Sequence, residues 1–122
     1  MISFERFEPA EGLPIYQQIV TYLKREIASG AVTEGDELPS RRVLSALLGI
    51  NPNTVQKAYR ILEEEGLICS QSGAKSTVVL GETTVETIRS QLLEQDARQL
   101  VQAMKQLGLR KEEAVRLLEQ YW

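Results

Sequence analysis

Apolar residues recur at every fourth position over Ile15, Ile19, Leu23 and Ile27, with Tyr16 and Val20 beside them. This spacing predicts an amphipathic helix with one buried stripe. Pro14 suits its start, because the missing N–H would be unpaired there anyway, and Gly30 suits a left-handed cap at its end. Residues 1–13 read as an irregular lead-in containing Pro9 and Gly12, and residues 35–39 read as a turn. Ser40 can cap a second helix with Val43, Leu44, Leu47 and Leu48 as its apolar face and Arg41 and Arg42 outside. Gly49 breaks that helix. Asn51 then caps a third, with Pro52 at its first position. In the third helix Val55, Ala58, Tyr59 and Leu62 fall on one side, and Asn53, Gln56, Lys57 and Arg60 on the other. Gly66 ends it. Residues 67–70 and 76–80 read as two short strands, with residues 71–75, centred on Gly73, as the hairpin tip.

Three helices followed by a hairpin predict a winged helix-turn-helix over residues 1–81. A two-helix extension over residues 82–122 makes the fold mostly α with a small β-hairpin. Thr83 with Glu86 offers a capping box for a long helix carrying Val85, Ile88, Leu92, Leu93, Leu100, Val101, Met104 and Leu107. Gly108 ends it, and a final helix from Arg110 carries Ala114, Leu117, Leu118, Tyr121 and Trp122. Two helices alone bury little surface, so this extension needs the winged domain or a second copy of itself. A dimer seam over Ile88, Leu92, Leu93, Leu100, Val101, Met104, Leu117 and Leu118 is the expected use. A lipophilic effector pocket between the helices is the alternative.

Two short helices joined by a tight turn can place the second in the DNA major groove. Net charge, at −3, argues against a strongly basic nucleic-acid binder, but its distribution is uneven. Residues 1–37 carry 3 basic and 7 acidic side chains, residues 38–81 carry 5 and 3, and residues 82–122 carry 6 and 7. The segment expected to read DNA is thus the net-positive one, enough to engage phosphate while the remainder stays acidic. One cysteine, Cys69, and no histidine exclude an internal disulfide, Cys/His zinc sites and histidine-based catalysis. Cys69 itself reads as a small strand residue of the buried kind. No metal or cofactor is expected, and no enzyme activity. No apolar run approaches the roughly 20 residues that span a bilayer, and the first residues lack a signal-peptide pattern. A cytoplasmic protein without membrane contact is the expectation.

The residues also carry a family resemblance. Pro14-Ile15-Tyr16-Gln17-Gln18-Ile19 and Gly30 match, as do Gly35-Asp36-Glu37-Leu38-Pro39-Ser40-Arg41-Arg42 and Leu44. The match continues through Gly49-Ile50-Asn51-Pro52-Asn53-Thr54-Val55, Ala58-Tyr59 and Leu62-Glu63-Glu64-Glu65-Gly66-Leu67-Ile68. Together these resemble the GntR family of bacterial transcription regulators, in its short YtrA-like branch. The resemblance implies a homodimeric repressor on a palindromic operator, often of a transporter operon, with a small-molecule effector as a further partner. It places the third helix in the major groove and the wing in the adjacent minor groove. The chain departs from the family in carrying Ser76 where the wing usually has glycine, and Val78 where an aromatic often follows the threonine.

On this reading Arg42 contacts DNA backbone or base, and Arg41 is a secondary phosphate contact. Asn53 and Gln56 can pair with an adenine edge, since an amide donates and accepts at once. Asn51 and Thr54 reach phosphates, with Asn51 also serving as a cap. Lys57, Arg60 and the wing residues Gly73 and Lys75 complete the DNA-contacting set. Glu63-Glu64-Glu65 reads as a solvent-exposed helix end. A winged-helix module that binds a basic protein partner, without specific DNA recognition, is the competing reading.

Overall fold

A computed structural model describes residues 1–70 and 75–122. Among them the chain forms α1 (Ile15–Ser29), β1 (Glu37–Leu38), α2 (Arg41–Leu48) and α3 (Pro52–Glu64). These are followed by β2 (Ile68–Ser70), β3 (Ser76–Val78), α4 (Thr84–Gln106) and α5 (Lys111–Tyr121). Two compact units result, Met1–Arg89 and Ser90–Trp122, with the division inside α4. The first contains the winged helix-turn-helix read over residues 1–81, together with the start of α4.

The helix ends follow side-chain chemistry. The Ser40 hydroxyl accepts the Val43 N–H at 3.1 Å, and Asn51 Oδ1 accepts the Asn53 N–H at 2.8 Å. Each satisfies a donor that a helix N-terminus leaves unpaired. Between α2 and α3, Gly49 sits at φ +65°, a left-handed conformation that side chains with a Cβ resist. Ser45 closes the same turn three times over. Its carbonyl accepts the N–H groups of Gly49 and Ile50, and its buried hydroxyl donates to the Ile50 carbonyl at 2.6 Å.

The core of the first unit is built on α3. Val55, Ala58, Tyr59 and Leu62 have no measurable exposure, and neither do Ile19, Leu23 and Ile27 of α1 or Leu44 of α2. Fully burying an aliphatic side chain is worth about 1.5–3 kcal/mol, so this cluster dominates the unit's stability. The buried Tyr59 hydroxyl donates to the Pro39 carbonyl at 2.6 Å, joining α3 to the approach of α2. Burial pushes the Tyr59 phenol well above the usual tyrosine range, while the nearby Arg41 guanidinium acts in the opposite direction. The phenol therefore stays a neutral donor.

Several expectations are corrected. The segment read as a turn before Pro39 contains β1, so the sheet has three antiparallel strands in the order β1-β3-β2, not two. Glu37 pairs with Thr77 and Leu38 with Ser76, while Cys69 pairs with Thr77 on the other side. Cys69 is an exposed strand residue, not a buried one. The lead-in is part of the core: Ile2, Phe4 and Phe7 are buried, and both phenylalanine rings pack on Tyr22 of α1. The Ile2 N–H also donates to the Glu37 carbonyl. Val43 and Leu47 of α2 are exposed, because Leu44 and Ser45 take the inward positions. At the start of α4, the hydroxyl of Thr84, not Thr83, accepts the Gly81 N–H at 2.8 Å.

The second unit has a different character. None of the residues 90–122 is buried, although Leu93, Leu100, Val101, Leu107, Leu117, Leu118, Tyr121 and Trp122 are large and apolar. Ile88 is buried in the single chain and so offers little to any surface between copies. No helix among the described residues is long and apolar enough to cross a membrane.

Removing the Tyr59 hydroxyl tests the core. Tyr59→Phe leaves the buried Pro39 carbonyl without its donor and is expected to cost about 1–3 kcal/mol. Urea unfolding should show a lower midpoint at an unchanged slope.

Candidate nucleic-acid interface

Alternation on α3 produces the candidate interface. With one side of the helix committed to the core, Asn53, Gln56, Lys57 and Arg60 are left exposed on the other. Asn53, Gln56 and Arg60 are three and four residues apart, so their side chains line one face. None of Arg42, Asn53, Gln56 and Arg60 uses its side chain in a hydrogen bond or ion pair with another described residue. Their donors and acceptors are available to an external ligand.

Lys57 is held differently. Its Nζ lies 4.0 Å from the centre of the Tyr16 ring, whose hydroxyl accepts the Gln17 side-chain amide at 3.2 Å. A cation over an aromatic face is attracted by the ring quadrupole, so Tyr16 fixes the lysine charge beside the exposed face of α3. Sequence reasoning assigned Tyr16 only to the buried stripe; no local pattern links an α1 aromatic with an α3 lysine. Thr54 is half-buried. Asn51 commits its Oδ1 to the cap, which leaves its amide N–H donors for a further acceptor. Arg42 is exposed in the first turn of α2, and Lys75 is exposed just before β3. Gly73 lies outside the described residues.

Arg41 and two of the glutamates also make contacts inside the fold. Arg41 Nη2 donates to Glu63 Oε1 at 3.0 Å, and the guanidinium carbon lies over the Tyr59 ring, 5.1 Å from its centre. Glu65 pairs with Lys24 of α1 at 2.8 Å. Glu63 and Glu65 are therefore joints between helices; Glu64 and Glu65 keep the solvent exposure expected of this helix end, and Glu63 is half-buried. Among the described residues no cluster of acidic or cysteine side chains could hold a metal ion.

In the second unit an apolar cleft of about 290 Å³ is lined by Met104, Leu117, Leu118, Tyr121 and Trp122. Trp122 and Tyr121 are largely exposed there.

Comparison with known proteins agrees with the winged-helix fold. Residues 15–79 match the model for bacterial regulatory proteins of the gntR family. The chain is 40% identical over 95 residues to the HTH-type transcriptional repressor YtrA of Bacillus subtilis, covering 71% of this chain and 72% of that protein. A GntR family transcriptional regulator from Listeria monocytogenes superposes with a TM-score of 0.79 at 31% identity, covering 92% of this chain and 98% of the other. The DNA-binding domain of AraR in complex with operator ORX1 superposes with a TM-score of 0.52 at 26% identity, covering 59% of this chain and 89% of that one.

The cap assignment for Asn51 yields a direct check. Asn51→Ala should lower stability by about 0.5–2 kcal/mol in thermal or chemical unfolding, whereas Arg42→Ala, which breaks no internal contact, should leave the unfolding midpoint nearly unchanged.

Proposed function

The chain belongs to the gntR family of bacterial regulatory proteins and is a YtrA-like, DNA-binding transcription regulator; from that premise we propose that it acts as a homodimeric repressor on a palindromic operator. The observation that carries the reading is the polar face of α3, exposed opposite a fully buried one. Asn53 and Gln56 supply amides suited to the adenine edge in the major groove, and Arg42, Lys57 and Arg60 supply charge for phosphates or guanine. The wing, with Lys75 at its base, follows the adjacent groove. An exposed, uncommitted α3 face is the pattern expected of a recognition helix.

Dimerisation is assigned to the segment 82–122. Its unburied leucines and valines, Leu93, Leu100, Val101, Leu117 and Leu118, together with Leu92 and Met104, favour a second copy as the cover. Pairing would hold two recognition helices at a fixed separation, and the second half-site would then bind at high effective concentration. The YtrA relative is named a repressor, which supports that sign of regulation here. The open apolar cleft beside Tyr121 suits side chains of a partner helix better than an enclosed effector. An effector would act by binding one dimer geometry more tightly than another.

Selection of duplexes from a random pool tests the reading. An inverted repeat with half-sites spaced by a whole number of helical turns is expected; no enrichment would overturn specific recognition. Gln56→Ala should relax preference at one position of each half-site, at about 1–3 kcal/mol. Leu100→Asp combined with Leu118→Asp should convert a sedimenting dimer into a monomer with weak operator affinity. A dimer that survives both changes would move the seam elsewhere.

A further inference from the structure

We infer that Arg41 is a positioning residue and not a phosphate contact: through Glu63 and Ser70 it ties the first turn of α2 to the root of the wing and so sets the wing's attitude to the recognition helix. The inference rests on the DNA-binding role of α3 and the wing proposed above.

Four polar groups form a directional chain. Glu63 Oε1, near the end of α3, accepts from Arg41 Nη2 at 3.0 Å and from the Ser70 hydroxyl. Having donated its hydrogen to Glu63, the Ser70 oxygen can accept from the Ser76 hydroxyl, 3.4 Å away. Ser70, the last residue of β2, and Ser76, the first of β3, are cross-strand partners. The relay therefore runs from the start of α2, across the end of α3, to both strands of the wing.

Arg41 is poorly placed to serve DNA as well. Its guanidinium lies over Tyr59, whose ring is fully buried, and its Nε is itself buried without a hydrogen-bond partner. A cation in the first turn of a helix also meets the positive end of the helix dipole, so Arg41 needs a compensating carboxylate, which Glu63 provides. Turning the guanidinium out to a phosphate would strip Glu63 of its charge partner and leave it half-buried. Arg42 meets the same helix end, but it is exposed and uncommitted to any internal partner, so water or a phosphate can serve its charge.

The test uses the full chain and two readouts. In the free protein, amide resonances report the relay. Arg41→Gln and Glu63→Gln should both shift the Ser70 and Ser76 signals, and signals unmoved by either change would overturn the inference. With a duplex of mixed sequence, affinity is then measured over a salt series. Arg41→Gln should weaken binding but keep the slope of log K against log salt. Loss of one phosphate contact reduces that slope by about 0.9, and such a reduction for Arg41→Gln would overturn the positioning role. The double variant should bind no more weakly than the single variants, because both act through one network; additive losses would also overturn it. Arg42→Ala runs in parallel, and an unchanged slope there would sink the proposed DNA face while the resonance readout still decides the relay.

Discussion

The packing of one face of α3 is the constraint on which the first unit depends. Val55, Ala58, Tyr59 and Leu62 lie at zero exposure against α1 and α2, and the helix cannot rotate without bringing a polar side chain into that core. Burying an unpaired amide or charge costs several times what an ordinary contact contributes. The rotational setting of the helix therefore decides which residues face outward. The recognition chemistry proposed for Asn53 and Gln56 would in this sense be a by-product of hydrophobic packing on the reverse side, with Tyr59 adding a directional hydrogen bond that fixes the helix relative to Pro39.

Polar joints then refine what packing leaves open. Ser45 closes the turn before α3, Lys24 and Glu65 tie the far end of α3 to α1, and Glu63 reaches both α2 and the sheet. The Lys24–Glu65 and Glu63 joints each span two elements that the hydrophobic core alone would hold only loosely in angle. Ser76, a departure from the glycine usual in the family, supplies a hydroxyl at the point where the two wing strands meet this network.

Much of this was legible in the residue pattern, for physical reasons that are local. Asn51, Pro52, Gly49 and Ser40 mark helix ends through their own backbone preferences, and the α3 stripe is long enough for its period to be unambiguous. The exposed face of α3 followed at once. What escaped notice was non-local or short. β1 has two residues, too few for any alternation, and exists because β3 offers it an edge. On the eight-residue α2, four apolar residues spread over a wide arc at about 100° per residue, so pattern alone could not place the core-facing line; Leu44 and the polar Ser45 hold it, leaving Val43 and Leu47 outside. Phe4 and Phe7 pack on a tyrosine well along the chain, and Arg41 finds Glu63 across two helices. No spacing rule connects such pairs.

The segment Ser90–Trp122 has no interior of its own. Helices in that condition gain order from whatever covers them, and that cover is subject to mass action. Were a second copy that cover, as proposed above, the tail would act as a concentration gauge: as copies per cell fall, its helices would lose their cover before the winged unit loses its core. Occupancy of DNA would then decline more steeply than protein level, so a modest change in synthesis or turnover becomes a sharper change in output.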